Sequence, residues 1–353
     1  MRVTLFLQRI TGAGGSRVTV RMANELARRG VDVRIAVPQA PIGRRLRDWA
    51  RGWARKAISW EHALEAPVER YRSADELDWR PGDAAVAVGS HTVAAVGALS
   101  ADGVVRVAWC HGFTENLQEL MRSAWSSPLP KLVVSPTLIE PLKAFGGGPV
   151  VGVAPNGIDP AEYFVEDHGP RDGVGLIYSR HWKKDPEFTE RVIAALEERR
   201  PDVPLRLFGL GVGPASLKRG SYLRGASVDE GRGLYNRALA WLITSRSEGF
   251  CLPILEAMAC GAAVVSTAHD SAPGLVDDGT NGVLVPMGDL EGFVAAVERV
   301  LDDAAFRERL VDQGLATAAR FTWSAAAEAL LTGLERAGAR PAGAPSPASL
   351  GAS

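Results

Sequence analysis

Long apolar runs are missing from this 353-residue sequence, and no stretch approaches the ~18 uninterrupted apolar residues typical of a membrane-spanning helix. Cysteine is also scarce, because Cys110, Cys251 and Cys260 are odd in number and widely spaced. These three residues form neither a disulfide framework nor a metal-ligand spacing, which favours a reducing cytoplasm. A formal net charge of -1 argues against a dedicated nucleic-acid binder, which normally has a basic excess.

Two further absences concern chemistry. No Asp-x-Asp pair follows a predicted strand to hold a metal ion, and Asp277-Asp278 before Gly279 is typical of a turn. No lysine lies in a context that suggests a pyridoxal phosphate site. We therefore expect chemistry that needs neither a metal nor a cofactor.

The apolar N-terminus leads directly into glycines without a small-residue cleavage site, so we expect a first strand rather than a signal peptide.

The sequence has an ordinary globular composition, with 46% hydrophobic and 23% charged residues, and its length predicts two domains. Short β-rich runs alternate with helical patterns, and the alternation restarts after Pro155-Asn156-Gly157. Alternation of this kind implies parallel strands joined by right-handed crossovers. We expect an α/β protein with two Rossmann-like domains and a ligand cleft between them, because ligands lie beyond the carboxyl ends of such strands.

The predicted domains are 1–153, 154–318, a helix at 319–337 that crosses back to the first domain, and a disordered tail at 338–353. The predicted strands are Arg2–Leu7, Val31–Val37, Ala84–Val88, Val104–Ala108, Lys131–Ser135, Gly175–Tyr178, Leu205–Phe208, Trp241–Thr244, Ala263–Ser266 and Gly282–Val285. The predicted helices are Arg17–Arg29 after a Gly12–Gly15 loop, Pro186–Arg199, a helix from Pro253 to Gly261, Leu290–Leu301 capped by Asp289, and Trp323–Arg336.

The segment Ser247–Gly261 carries the strongest chemical signal. Its helix is apolar or small at nearly every position, so burying Glu256 within it is costly unless a partner such as a sugar hydroxyl donates to the carboxylate. Glu248 lies just before the helix start, where free N–H groups favour an anion such as a diphosphate. The structural alternative is that Glu256 pairs with a buried arginine and Glu248 only caps the turn.

Seven residues separate Glu248 from Glu256, and this spacing resembles the E-x7-E motif of retaining GT-B glycosyltransferases, family 4 (glycosyl transferases group 1). The resemblance runs from Met1 to Arg336. It also rests on further features in matching order, namely Gly14-Gly15, Pro155-Asn156-Gly157-Ile158-Asp159, Gly209–Gly213, Tyr235, and Phe321-Thr322-Trp323. It implies a GT-B fold in which domain 1–153 binds the acceptor and domain 154–318 binds the nucleotide sugar. It also implies a hexosyltransferase that acts with retention and without a metal.

The resemblance implies roles for individual residues. Glu256 would hold the ribose hydroxyls and Glu248 the sugar hydroxyls, while the backbone of Gly249 and Phe250 would lie close to sugar and phosphates. The implied catalytic residues are His111, Arg180, Lys184 and Glu248. The implied donor-binding residues are Gly14, Gly15, Arg180, Lys184, Gly209, Gly211, Glu248, Gly249, Phe250, Cys251, Leu252 and Glu256.

Three of these assignments have structural alternatives. Arg180 and a lysine would offset the charge of a leaving diphosphate, with Lys184 favoured over Lys183, unless this is only a solvated basic loop. His111, just past a predicted strand, would contact the donor sugar, although a lone histidine is more often structural. The glycine loop resembles a phosphate-facing turn, but its spacing is not the dinucleotide fingerprint.

Residues 42–60 combine arginines with Trp49, Trp53 and Trp60 at helical spacing. As a helix, this stretch could bind an anionic membrane or a polyanionic acceptor. The alternative is a helix whose tryptophans pack on the first domain, and the spacing slightly favours it. The expected location is the cytoplasm, with peripheral contact at the inner membrane face left open.

The function predicted from these features is transfer of a sugar from a UDP-, GDP- or dTDP-linked donor to an acceptor hydroxyl. The acceptor class stays open among natural products, cell-surface glycans and lipid-linked acceptors, and no nucleic-acid partner is expected. Two alternatives share the architecture: a sugar-nucleotide epimerase or phosphorylase, and a non-catalytic nucleotide-sugar-binding protein. Turnover of a nucleotide sugar would separate the enzymes from the binding protein.

Overall fold

The structure, a computed structural model, describes residues 1–10, 14–39, 64–112, 119–167 and 169–340. The chain divides into two compact units, of which the first holds Met1–Pro155 and the C-terminal part from Ala326, and the second holds Asn156–Ala325. The predicted loop residue Gly12, the arginine- and tryptophan-rich stretch 42–60 and the tail beyond Arg340 lie outside the described residues. In the described ranges, no helix is long and apolar enough to cross a membrane.

The first unit contains a parallel sheet, which has seven strands within the described residues and the order β3-β2-β1-β4-β5-β6-β7. These strands are β1 (Arg2–Phe6), β2 (Asp32–Pro38), β3 (Val68–Tyr71), β4 (Ala84–Val88), β5 (Val105–Cys110), β6 (Lys131–Val133) and β7 (Val150–Val153). The helices of this part of the chain are α1 (Gly14–Arg28), α2 (Ser90–Gly97), α3 (Glu119–Ser126) and α4 (Ile139–Lys143). The central strand β4 is apolar and buried throughout, as expected for a parallel strand covered on both faces.

The second unit repeats this plan, with six described parallel strands in the order β10-β9-β8-β11-β12-β13. Its strands are β8 (Gly173–Ile177), β9 (Leu205–Gly209), β10 (Ser221–Arg224), β11 (Ala238–Ile243), β12 (Ala263–Thr267) and β13 (Val283–Val285). The helices of this part of the chain are α5 (Pro186–Arg199), α6 (Val228–Arg237), α7 (Leu252–Ala259), α8 (Leu290–Asp302) and α9 (Ala304–Ala318). The last helix, α10 (Trp323–Arg336), begins in the second unit and belongs to the first from Ala326 onward. The order reverses direction between β8 and β11, so this is the position where a doubly wound sheet binds ligands.

The core of the second unit forms where α5 and α8 cover one face of the sheet. Phe188 of α5 and Phe293 of α8 meet edge to face with ring centroids 5.6 Å apart. They pack with buried aliphatic residues of the strands, including Leu176 and Val265. This burial fixes the strand ends that carry the candidate site.

Most predicted elements agree with the structure, and Trp323–Arg336 does so at both ends. Asp289 caps α8 by accepting a hydrogen bond from the N–H of Gly292 at 2.9 Å. The predicted loop at Gly12–Gly15 was wrong at its end, because α1 begins at Gly14, so Gly14 and Gly15 form its first turn. The sequence pattern missed α2, α3, α4 and α9 and the edge strands β3, β7 and β10. Each of these edge strands has only four residues, which is too short for a clear apolar pattern.

The ends of the second unit lie side by side. The N–H of Ile158 donates to the carbonyl of Phe321 at 2.8 Å, and Ile158 forms a bridge with Thr322. Gly157 packs directly against the backbone of Thr322 and Trp323, so a larger residue at this position would clash with main-chain atoms. These contacts explain why a glycine is needed at this linker.

Candidate functional site

Two loops follow the carboxyl ends of β8 and β11. The first ends in a short 3-10 helix, Trp182–Lys184, whose start is capped by the His181 side chain. The second runs from the end of β11 to Cys251, where α7 begins. Both loops therefore lie at the point where the strand order reverses, which is the expected ligand position in this fold.

Hydrogen bonds tie the two loops together. The backbone N–H groups of Arg246 and Ser247 donate to the carbonyl of Lys183 at 2.7 and 3.2 Å. The guanidinium of Arg246 donates to Asp185 Oδ2 at 2.9 Å. Asp185 also caps α5, because its Oδ1 accepts from the N–H of Phe188 at 3.3 Å. The loops thus form one structural group rather than two independent segments.

Glu248 and Lys184 form the charged centre of this group. Glu248 Oε1 accepts hydrogen bonds from Lys184 Nζ and from Ser245 Oγ, the latter at 2.7 Å. The side chain of Glu248 is 15% exposed and that of Lys184 is 29% exposed. Burial alone would lower the pKa of Lys184, but the negative charge of Glu248 outweighs it and raises this pKa above its usual value. Lys184 is therefore a cation held beside a carboxylate.

Glu256 occupies a different environment inside α7. Its side chain is buried, and its Oε2 accepts a hydrogen bond from the hydroxyl of Tyr235 at 2.8 Å. The Tyr235 ring packs on Trp241 with centroids 4.0 Å apart. Burial and the charge of Glu256 raise the pKa of Tyr235 well above its usual value, so the phenol stays protonated and remains a donor. A tyrosine is thus one partner of the Glu256 carboxylate.

The turn between these glutamates is strained at one residue. Cys251 has φ of 72° and ψ of 64°, a left-handed conformation that favours glycine. Its side chain makes no capping hydrogen bond to α7, whose first turn contains Leu252 and Pro253. The neighbouring Phe250 is buried and packs against Phe321 at 5.9 Å between ring centroids. All three cysteines of the chain are free and buried.

The glycine-containing loop after β9 is held by α5. Glu190 accepts hydrogen bonds from the backbone N–H groups of Ala215 and Ser216 at 3.0 and 2.7 Å. The hydroxyl of Tyr222 donates to the carbonyl of Gly211 at 2.9 Å. A side chain at Gly209 would meet the carbonyl of Tyr178, so only glycine fits there. The loop presents Leu210 and Val212 to solvent, at 73% and 61% exposed.

Arg180 and Lys183 lie close to Lys184 in sequence but have other neighbours. Arg180 is exposed and its guanidinium lies beside the hydroxyl of Tyr178. The ammonium of Lys183 lies 5.8 Å from the centre of the Trp182 ring. Of these three cations, Lys184 is the one that contacts Glu248. Which lysine contacts a phosphate stays a prediction.

The remaining predicted residues belong to the first unit. His111 follows β5, and its ring meets that of Trp109 with centroids 4.2 Å apart. Its Nε2 is buried and has no hydrogen-bond partner among the described residues. Burial lowers the pKa of His111 to about 3, so the ring is neutral near pH 7. Gly14 and Gly15 begin α1.

Asp270, which the sequence pattern did not single out, also belongs to the site. It follows β12, and its Oδ1 accepts a hydrogen bond from the N–H of Glu248 at 2.7 Å. No pattern in the sequence points to Asp270, because the contact joins loops that follow two different strands, β11 and β12. Within the described residues, no three His, Cys, Asp or Glu side chains group as metal ligands.

Comparison with known proteins begins with a family match. Residues 174–303 match the family described as Glycosyl transferases group 1. The D-inositol 3-phosphate glycosyltransferase of Corynebacterium diphtheriae is 32% identical over 42% of this chain and 38% of its own length. The phosphatidyl-myo-inositol mannosyltransferase of Mycolicibacterium smegmatis is 28% identical over 48% of each chain. The chain thus spans less than half the length of these curated relatives.

Solved structures resemble nearly the whole chain. Sucrose-phosphate synthase from Thermosynechococcus elongatus has a TM-score of 0.70 at 16% identity, over 95% of this chain and 98% of its own. Anabaena HepE, solved in complex with UDP-glucose, has a TM-score of 0.72 at 16% identity, over 95% of this chain and 99% of its own. These likenesses confirm the predicted fold class, two Rossmann-like units of the GT-B type.

Proposed function

We propose, from the match of residues 174–303 to the family described as Glycosyl transferases group 1, that the protein transfers a hexosyl group from a nucleotide-diphosphate sugar to an acceptor hydroxyl. The observation that carries the proposal is the position of the motif glutamates. Glu248 and Glu256 flank the start of α7 at the switch point of the second sheet, each with a donor already on its carboxylate. This position suits a nucleotide sugar.

Glu256 is the proposed ribose ligand. The hydrogen bond from Tyr235 fixes the orientation of its carboxylate within a buried helix. A preorganised carboxylate can accept from two adjacent hydroxyls without first losing rotamer freedom. The exposed Leu210 and Val212 lie at the end of β9, next to the same switch point, where they could cover the base. The nucleobase itself is left to experiment among uracil, guanine and thymine.

Glu248 is the proposed ligand of the donor sugar. Its Oε1 is occupied by Lys184 and Ser245, while Oε2 accepts no hydrogen bond from the described part of the chain. A sugar hydroxyl could therefore donate to Oε2 without displacing either partner. The backbone of Gly249 offers close approach for the sugar, because it has no side chain.

Charge on the leaving diphosphate would be offset by Arg180 and Lys184. An ammonium has three N–H donors, so Lys184 could keep its bond to Glu248 and donate another to phosphate. The N-terminal end of α7 has no side-chain cap and would add its N–H groups to the same anion. We propose that these groups replace the metal ion used by other transferases.

We propose a retaining reaction. The bond between the anomeric carbon and the diphosphate oxygen breaks as the acceptor oxygen forms a bond on the same face of the sugar. The acceptor proton passes to the departing phosphate, so no enzymic nucleophile is needed. His111 is proposed to contact the donor sugar, and its neutral ring can both donate and accept a hydrogen bond. His111→Ala should then slow transfer and leave nucleotide affinity nearly unchanged.

The experiment that tests this function is a panel of UDP-, GDP- and dTDP-linked hexoses, first by thermal shift and then by turnover. A donor that binds the folded state raises the melting temperature by mass action. Inositol 3-phosphate and phosphatidylinositol belong in the acceptor panel, because relatives carry these names. NMR of the product gives the anomeric configuration, and EDTA tests metal dependence.

The outcomes separate the alternatives. Transfer with retention in EDTA supports the proposal, whereas an inverted product or activity that requires added metal contradicts the mechanism. Binding without turnover favours the non-catalytic binding protein, and conversion of the donor without an acceptor favours an epimerase. The cytoplasmic location and membrane contact through residues 42–60 remain predictions. Flotation with anionic vesicles would test the membrane contact.

A further inference from the structure

Asp270 uses both of its carboxylate oxygens on the loop that carries Glu248. Oδ1 accepts hydrogen bonds from the N–H of Glu248 at 2.7 Å and from the N–H of Ser271 at 3.1 Å. Oδ2 accepts from the hydroxyl of Ser247 at 2.8 Å. One side chain therefore joins the loop after β12 to the loop after β11.

The hydrogen bonds of Asp270 act where the Glu248 loop lacks regular structure. Residues between the end of β11 and Cys251 form neither strand nor helix, so no repeating hydrogen bonds fix their peptide planes. The N–H of Glu248 donates to Asp270, which fixes the orientation of the Glu248 backbone. The orientation of the backbone in turn decides the direction in which the Glu248 side chain leaves it. The tip of the same side chain is held separately by Lys184 and Ser245.

Asp270 is suited to this task because it remains ionised. Burial raises its pKa, but the nearby His269 ring and hydrogen bonds from the Glu248 N–H and the Ser247 hydroxyl outweigh this and lower the pKa below its usual value. A charged acceptor holds an N–H more strongly than a neutral one does. The negative charge also faces Lys183, which adds an attraction across the two loops.

We propose that Asp270 is a positioning residue that orients Glu248 toward the sugar of the donor and has little effect on the nucleotide. The proposal rests on the proposed function for the identity of the ligand. Its structural part, that Asp270 orders the Glu248 loop, does not depend on any ligand. The two parts therefore have separate tests.

The structural part is tested by hydrogen exchange of the protein without ligand. Asp270→Ala should speed exchange of the amides in 245–250 by about tenfold or more, since the N–H of Glu248 loses a charged acceptor. Asp289→Ala is the matched control, because it removes a carboxylate bond to a backbone N–H at the start of α8. Unchanged exchange in 245–250 for Asp270→Ala would overturn the proposal.

The functional part is tested by calorimetry with UDP and UDP-glucose, and with GDP and GDP-mannose as a second pair. Asp270→Ala should reduce the extra affinity that the sugar provides and leave the affinity for the free nucleotide within about twofold. Asp270→Asn keeps one acceptor oxygen and should restore part of the loss. Equal losses for nucleotide and nucleotide sugar would show a general structural effect and overturn the assignment.

A double-mutant cycle separates positioning from a direct contact with sugar. If Asp270 acts through Glu248, then adding Asp270→Ala to Glu248→Gln should cost little more than Glu248→Gln alone. Fully additive losses would contradict positioning. If the wild-type protein binds neither pair, the proposed function fails for these donors, while hydrogen exchange still decides whether Asp270 orders the loop.

Discussion

The carboxylate of Glu248 lies in an irregular loop and accepts from an ammonium and a hydroxyl, whereas that of Glu256 lies inside a helix and accepts from a buried phenol. The loop carboxylate depends on residues from several segments, including Lys184 and Asp270. The helical one is placed by α7 and accepts a hydrogen bond from Tyr235. The comparison teaches that two similar residues of one motif can differ in what keeps them in place.

This difference has a chemical consequence. A rigid, buried carboxylate suits a part of the ligand that does not change during reaction, such as ribose. A carboxylate beside a cation suits the reacting end, where charge develops as the bond to the diphosphate breaks. The predictions below test this division of roles in order of decreasing effect.

Replacing Lys184 should have the largest effect. Lys184→Ala removes the cation from Glu248 and from the proposed diphosphate position, so the rate of transfer should fall on the order of a hundredfold or more. Donor affinity should fall less, because the charge acts mainly in the transition state. Steady-state kinetics with the best donor of the panel measures both values.

The matched control is Lys183→Ala, which removes a neighbouring ammonium that lies over Trp182 rather than on Glu248. Its rate should stay within about tenfold of wild type, well above that of Lys184→Ala. Similar losses in the two variants would contradict the special role of Lys184.

Changes at Glu256 should weaken nucleotide binding instead of slowing transfer. Glu256→Ala removes a charged acceptor from two ribose hydroxyls, each such bond being worth roughly 1.5–3 kcal/mol. Calorimetry with the free nucleotide should then show affinity reduced by about a hundredfold or more. Tyr235→Phe should give a smaller loss of the same kind, since the carboxylate remains but loses its fixed orientation. Unchanged nucleotide affinity in a folded Glu256→Ala variant would refute the assignment.

Low pH should destabilise the loop after β9, which is held by the carboxylate of Glu190. Burial raises the pKa of Glu190, but hydrogen bonds from Ser216, Tyr178 and Ala215 lower it more, so the folded-state pKa lies below the unfolded value. The stability from Glu190 is therefore complete above the unfolded pKa of about 4.3 and is lost as pH falls through the folded pKa. Glu190→Gln should lower the unfolding free energy near pH 7 by about 1–2 kcal/mol and flatten its decline below pH 5.

Urea unfolding from pH 7 to pH 3 measures this effect. Glu198→Gln is the control, because Glu198 lies exposed on the same helix. It should leave both the unfolding free energy and its pH dependence nearly unchanged. If Glu190→Gln and wild type lose stability in parallel below pH 5, the loop is not held by the ionised carboxylate.

The smallest effect is expected on stability, for substitutions at Cys251, which lies between Glu248 and Glu256. Cys251 has a left-handed backbone, so Cys251→Gly should be more stable than Cys251→Ala by about 1 kcal/mol. Cys260, with φ of -89°, should show the opposite order, since glycine there only adds entropy to the unfolded chain. Thermal unfolding of the four variants measures both differences. The same order at both sites would contradict the strain.

The sequence predicted the fold well because its strongest signals are local. The alternation of strands and helices depends on neighbouring residues and can be recognised in the sequence. The same holds for glycines that end helices, such as Gly30 and Gly261. The missed edge strands are only four residues long, and Ser221–Arg224 is also partly exposed and carries no apolar run. Those strands exist because a neighbouring strand supplies hydrogen bonds, which is a tertiary effect.

The site was predictable only in part for a similar reason. Glu248 and Glu256 were identified from their spacing and their unusual surroundings. The contacts that hold them come from residues far away in sequence, since Lys184 is 64 positions from Glu248 and Tyr235 is 21 from Glu256. Asp270 is 22 positions from Glu248. Nothing in a linear pattern states which strands are neighbours, so these partners emerge only from sheet order.

The paired ends of the second unit, Ile158 hydrogen-bonded to Phe321, have an engineering consequence. A segment that enters and leaves at one place can be removed, replaced or joined to itself with a short linker. Residues 156–325 therefore form a cassette that could be expressed alone or exchanged between relatives. Such an exchange would carry Lys184, Glu248 and Glu256 together with the residues that hold them.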